Sequence, residues 1–185
     1  NDITSYMLEQ TKKILSIDSP TGFTAHAAEY VLGAYKKLGY DAKLTNKGGI
    51  FVCVNDGPDQ ADDPADAPIL LEAHMDTVVL AAHMDTLGGM VCQIMDNGHL
   101  KLTNIGGMNP NNAEAENCRV YTRSGKVYSG TFQLKNASIH VNGSYNDTAR
   151  SYDAMEVVLD EPVESKADTE ALGIMTGDIV CFDPR

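Results

Sequence analysis

Two six-residue stretches, Glu72-Ala73-His74-Met75-Asp76-Thr77 and Ala81-Ala82-His83-Met84-Asp85-Thr86, are near-verbatim copies of one another. Each follows an apolar run, Ile69-Leu70-Leu71 in the first case and Val78-Val79-Leu80 in the second. Side chains at i and i+2 share one face of a strand, so each His-x-Asp can set an imidazole beside a carboxylate. That pairing suits metal chemistry: one ring nitrogen binds the ion while the carboxylate holds the proton of the other. The plain alternative is a pair of buried, hydrogen-bonded histidines at strand ends. The apolar strand before each copy, and Thr86-Leu87-Gly88-Gly89 after the second, favour the chemical reading.

The elements that would carry these residues fall into two textures. The first is mixed. Ile3, Met7, Leu8, Thr11, Ile14 and Leu15 follow helical spacing, and Ser19-Pro20-Thr21-Gly22 breaks the chain. A second helix is predicted from an N-cap at Thr24 to Leu38, stopped by Gly39, with Ala27, Ala28, Val31, Ala34, Tyr35 and Leu38 buried. Short strands follow at 41–44 and 50–54, joined through Gly48-Gly49. The Asp- and Pro-rich stretch 55–68 reads as a solvent loop. Its carboxylates lack the spacing and closing glutamate of a calcium loop.

After Thr86 the segments become short, β-rich and punctuated by glycine. Strands are predicted at 90–95 and 99–103 around an Asp96-Asn97-Gly98 hairpin turn. More follow at 118–122, 127–134, 138–141, 155–159 and 178–182, with Arg123-Ser124-Gly125-Lys126 as a further turn. Such a series suits a small barrel or sandwich.

Composition bounds the function. The 185 residues suffice for one domain or two small ones. A hydrophobic fraction of 43% supports a core, and a net charge of −12 argues against nucleic acid and anionic membrane surfaces. No apolar run approaches the roughly 20 residues that span a bilayer, and the chain opens without a signal-like segment. A cytoplasmic location is expected. Cys53, Cys92, Cys118 and Cys181 form no close pair and read as free, mostly buried thiols.

The stretch from Leu80 to Val91 resembles the first metal-ligand segment of the M42 metallo-aminopeptidases, the glutamyl and deblocking aminopeptidases once partly labelled endoglucanases. Leu100–Gly107, Tyr121–Lys126, Ser138–Val141, Ala171–Ile174 and Gly177–Arg185 extend the resemblance in the family's order. Ser19–Phe23 and Asn46–Gly49 fit its opening. The resemblance implies the opening part of an α/β catalytic domain at 1–86, an inserted β-barrel-like dimerisation domain at 87–182, and a return to the catalytic domain at 183–185. It also implies removal of N-terminal residues from peptides at a site of two divalent ions, zinc or cobalt. In such a site the ions share a bridging carboxylate and a water or hydroxide.

Carried onto this sequence, His83 becomes the metal ligand and Asp85 its catalytic partner, with His74 and Asp76 as the alternative pair. The two histidines are nine residues apart, so one unbroken strand would point them to opposite faces. Either a turn near Thr77-Val78 separates two strands, or one copy is displaced. The second copy is preferred because it runs directly into the matching barrel segment. Two departures from the family stand out: the duplicated His-x-Asp, and a chain about half the family's length. The remaining ligands and general base of the family have no counterpart among these residues, so the chain alone is expected to be inactive. His26, His99 and His140 are not expected at the metal. The resemblance further implies a homo-oligomer built from dimers. Two other readings stay open: a non-catalytic assembly or regulatory module, and a relative of the M20 metallopeptidases.

Overall fold

The computed structural model describes residues 3–54 and 80–183. The first His-x-Asp copy, its preceding apolar run and the Asp/Pro-rich stretch 55–68 lie outside the described residues. The described chain divides into two units, one from residues within 1–17 and 24–85, the other from 18–23 and 86–185.

The first unit holds α1 (Ile3–Leu15), α2 (Ala25–Lys37) and an antiparallel hairpin of β1 (Ala42–Leu44) and β2 (Ile50–Val52). Helix α2 runs between Thr24 and the cap residue Leu38, after which Gly39 takes a left-handed φ of +88°. That conformation is nearly free for glycine and strained for other residues. Ala27 and Ala28 are fully buried, while Val31, Ala34 and Tyr35 are only partly so. Leu38, expected in the core, is instead 50% exposed, because it caps the helix rather than lying on its packed stripe. The Tyr30 hydroxyl donates to Gln10 Oε1 at 2.7 Å, tying α2 to α1. Helix α1 contains the residues that follow helical spacing, and none of its residues is buried.

The second unit is a closed barrel of β3 (Gly88–Ile94), β4 (Leu100–Ile105), β5 (Glu116–Tyr121), β6 (Val127–Leu134), β7 (Met155–Leu159) and β8 (Ile179–Phe182). The strand order is β3-β4-β7-β6-β5-β8, and all pairings are antiparallel. Strand β8 closes the sheet by pairing with both β3 and β5. Closure removes the exposed edges that would invite aggregation. Val91, Leu100, Leu102, Val120, Phe132, Leu134, Met155, Val157, Ile174 and Val180 fill the core, each 1% exposed or less. The alternation of Leu100 with Leu102, Phe132 with Leu134 and Met155 with Val157 is the period of two that inward-facing positions require.

Gly98 in the β3–β4 turn has φ +84°, as an Asn-Gly hairpin demands. The turn is held from outside by Thr169, whose hydroxyl donates to the Gly98 carbonyl at 2.7 Å. Thr169 belongs to α3 (Lys166–Ala171), a helix of six residues that sequence periodicity does not reveal.

Two expectations fail in the barrel. Residues 138–141 form a turn instead of a strand: the Ser138 carbonyl accepts from the Val141 and Asn142 amides. Alternating apolar residues make a strand only where a neighbouring strand offers a ladder, and here Ile139 and Val141 point outward, 57% and 80% exposed. The surrounding loop is pinned instead by Arg150. Its fork donates to both Glu114 oxygens at 2.9 and 3.0 Å, and its guanidinium stacks 4.7 Å from the Tyr145 ring centroid. The second failure concerns Cys92, which is exposed, not buried. A β-bulge between Val91 and Gln93 places two successive residues, Cys92 and Gln93, on the outer surface.

Candidate functional site

Leu80–Asp85, expected as the end of a strand, carries no ladder; the first bridge is the parallel one between Thr86 and Pro20. A run without a paired neighbour is not a strand in the hydrogen-bonded sense, whatever its composition. Even so, His83 and Asp85 meet. His83 Nδ1 lies 2.7 Å from Asp85 Oδ1 and 3.3 Å from the Asp85 carbonyl oxygen. With the Nδ1 proton donated to the carboxylate, Nε2 keeps its lone pair. The imidazole is 84% exposed and Asp85 only 27%. A histidine with its proton held in this way is a ready ligand for a divalent ion.

The donor set is incomplete. Among the described residues no group of three or more His, Cys, Asp or Glu side chains could hold an ion. One imidazole nitrogen fits one coordination position of a zinc ion that takes about four. The other described histidines belong to other elements. His99 Nδ1 sits 2.8 Å from the buried Glu156 carboxylate in the barrel unit, and His140 lies in the 138–141 turn. His26 is in α2.

A second polar constellation escaped sequence reasoning. It binds the segment 18–23 to the barrel. Arg119, on β5, donates from Nε to Asp18 Oδ2 and from Nη2 to Asp18 Oδ1, both at 2.8 Å. Its Nη1 donates to Asp183, and the Tyr121 hydroxyl donates to Asp18. Burial alone would raise the Asp18 carboxyl, but the Arg119 fork and the Tyr121 hydroxyl outweigh it and leave it below the usual carboxylate range. The Tyr121 phenol is pushed up to about 12, by burial first and then by the Asp18 hydrogen bond. Beside them Phe23 lies 5.2 Å from the Tyr121 ring, and Ser19 is 1% exposed. Asp18 and Arg119 stand 101 residues apart, so no local pattern could announce the pair.

Buried thiols flank the same strands. Cys118 and Cys181 are each pushed up to about 12, chiefly by burial. They are inert at neutral pH, since the thiolate is the reactive form.

Comparison with known proteins gives this geometry its setting. Residues 67–185 match the family model described as M42 glutamyl aminopeptidase. The chain is 38% identical over 178 residues to YhfE of Bacillus subtilis (strain 168), a candidate aminopeptidase, covering 96% of this chain and 47% of YhfE. The crystal structure of a TET aminopeptidase from Thaumarchaeota archaeon SCGC AB-539-E09 gives a TM-score of 0.73 at 17% identity, over 98% of this chain and 45% of that one. The Pyrococcus horikoshii TET1 peptidase, described as able to assemble into a tetrahedron or a large octahedral shell, gives 0.65 at 20% identity, over 95% and 46%. At these identities the structural likeness establishes the fold, an α/β opening followed by a barrel-like domain. The chain spans about half the length of the relatives it matches. With most of its length matched by the family model, the chain belongs to the M42 glutamyl aminopeptidase family.

Proposed function

We propose that this chain supplies the first metal-donating segment and the barrel of a metal-dependent aminopeptidase that removes N-terminal residues from peptides. The observation that carries the reading is the His83 Nδ1–Asp85 Oδ1 contact of 2.7 Å, which leaves Nε2 as a donor. In this reading His83 is a metal ligand and Asp85 holds its ring proton and orientation. Two divalent ions, zinc or cobalt, supply Lewis acidity and an activated water when bound. Asp85 accepts a hydrogen bond from Nδ1–H and so orients the ring with Nε2 left as the donor, and the short His-x-Asp link limits rotation of the ring. His74 and Asp76 form the alternative pair.

One imidazole cannot assemble two co-catalytic ions, so the 185-residue chain is proposed to be inactive by itself. The test is an assay of purified chain with zinc or cobalt against a panel of aminoacyl chromogenic amides. Turnover abolished by a chelator and by His83→Ala would refute this.

The barrel is proposed to carry self-association into a homo-oligomer built from dimers. Support comes from the apolar side chains it presents outward, Leu87, Val127, Ile139, Val141 and Met175, and from the shells described for the TET1 relative. Peptides are the proposed substrates.

A further inference from the structure

We propose that Arg119 is a positioning residue for the His83–Asp85 pair, acting through the segment Asp18–Phe23. The inference rests on the reading of His83 as a metal ligand, and it concerns what holds that ligand still.

The connection runs through consecutive hydrogen bonds and one peptide plane. Arg119 grips Asp18 with a two-pronged contact, both prongs at 2.8 Å, and uses its remaining nitrogen on Asp183. A planar guanidinium engaged on both sides cannot swivel without breaking several bonds at once. The residue after Asp18, Ser19, is buried, and its carbonyl accepts the Thr86 amide at 2.7 Å. Pro20 bridges Thr86 in parallel register. The proline ring also lies over Gly88, where an added Cβ would stand 2.7 Å from Cγ and 2.9 Å from Cβ of Pro20.

The Thr86 N–H belongs to the same rigid peptide plane as the Asp85 carbonyl. Fixing that N–H therefore fixes the direction of the Asp85 carbonyl oxygen, which itself lies 3.3 Å from His83 Nδ1. Asp85 Oδ1 completes the hold at 2.7 Å. The path from Arg119 to the imidazole is thus Asp18, the Ser19 carbonyl, the Asp85–Thr86 peptide and the Asp85 carboxylate. Ligating imidazoles need this kind of support from groups that never touch the ion. Lysine would keep the charge at position 119 but lose the fork, so Asp18 would keep the Tyr121 hydroxyl but lose the two-pronged grip.

The test uses the 185-residue chain and nuclear magnetic resonance. Thr86 amide exchange and the His83 ring nitrogen shifts are compared in wild type, Arg119→Lys, Asp18→Asn and Arg150→Lys. The last variant weakens a similar fork, on Glu114, elsewhere in the barrel unit. Arg119→Lys and Asp18→Asn are expected to speed Thr86 exchange about tenfold or more and to lower the fraction of His83 carrying its proton on Nδ1. Val120, Phe132 and Val157 amides should stay within about twofold of wild type, and Arg150→Lys should leave Thr86 and His83 unchanged. Unaltered Thr86 and His83 signals in a folded Arg119→Lys variant would overturn the proposal. So would a parallel rise in exchange across the barrel core, which marks general destabilisation. The readout is the ring's hydrogen bond, so its failure leaves the ligand assignment of His83 standing, whereas loss of that assignment would show only in metal binding.

Discussion

His83 and Asp85 hold each other at 2.7 Å, Nδ1 against Oδ1, in a stretch of chain that belongs to no strand. The two residues meet across a single intervening position, in a run of chain with no ladder around it. Replacing the carboxylate is therefore expected to free the ring without unfolding the barrel. In the 185-residue chain, Asp85→Asn should shift the His83 tautomer balance toward the Nε2–H form, visible in the ring nitrogen shifts, while barrel amide shifts stay in place. An unchanged ring would mean that the carboxylate does not orient it.

The two copies of the motif are expected to be unequal. In a polypeptide carrying this chain together with the remaining half of the family's length, His83→Ala should lose bound metal and activity, and His74→Ala should keep most of both. Metal content by atomic emission, read beside activity, separates the two. The reverse pattern would move the site to the first copy.

Acid should loosen the grip on the segment 18–23. The Asp18 carboxyl is lowered in the folded chain, despite burial, by Arg119 and Tyr121. A lowered carboxylate adds stability above its unfolded value, near pH 4, and that stability disappears as pH falls through the folded value. Asp18→Asn is thus expected to be less stable than wild type at pH 7, with the gap closing below about pH 4. Urea unfolding at a series of pH values checks this, and a gap that widens on acidification would contradict it.

Gly88 should tolerate no side chain. Besides the Pro20 ring, an added Cβ would meet the Val180 carbonyl oxygen at 2.9 Å, and backbone cannot give way as a side chain can. Gly88→Ala is expected to cost about 1–3 kcal/mol, the range for forcing extra atoms into packed sites. Phe132→Ala, at the fully buried centre of the barrel, should cost about 3–5 kcal/mol. Chemical denaturation measures both.

Self-association is expected of the chain as it stands. Light scattering across a concentration series should show dimers or larger species. A strictly monomeric, well-folded chain at high concentration would remove support from the oligomer reading.

Much of the fold could be read from the sequence because its signals are local. The hairpin at Asn97-Gly98, strand β6 at Val127–Leu134, strand β7 at Met155–Leu159 and helix α1 at Ile3–Leu15 each follow from periodicity and a turn residue within a few positions. The His83-x-Asp85 spacing is local as well, which is why the sequence alone can bring ring and carboxylate together. What the tertiary structure decided is non-local. Whether residues 138–141 become a strand depends on a partner ladder that the barrel does not offer them. Whether Cys92 is buried depends on a bulge set by pairing with β4. That Asp18 answers to Arg119 and Tyr121 depends on closing a loop of about a hundred residues, and charges along a sequence carry no record of which of them will meet.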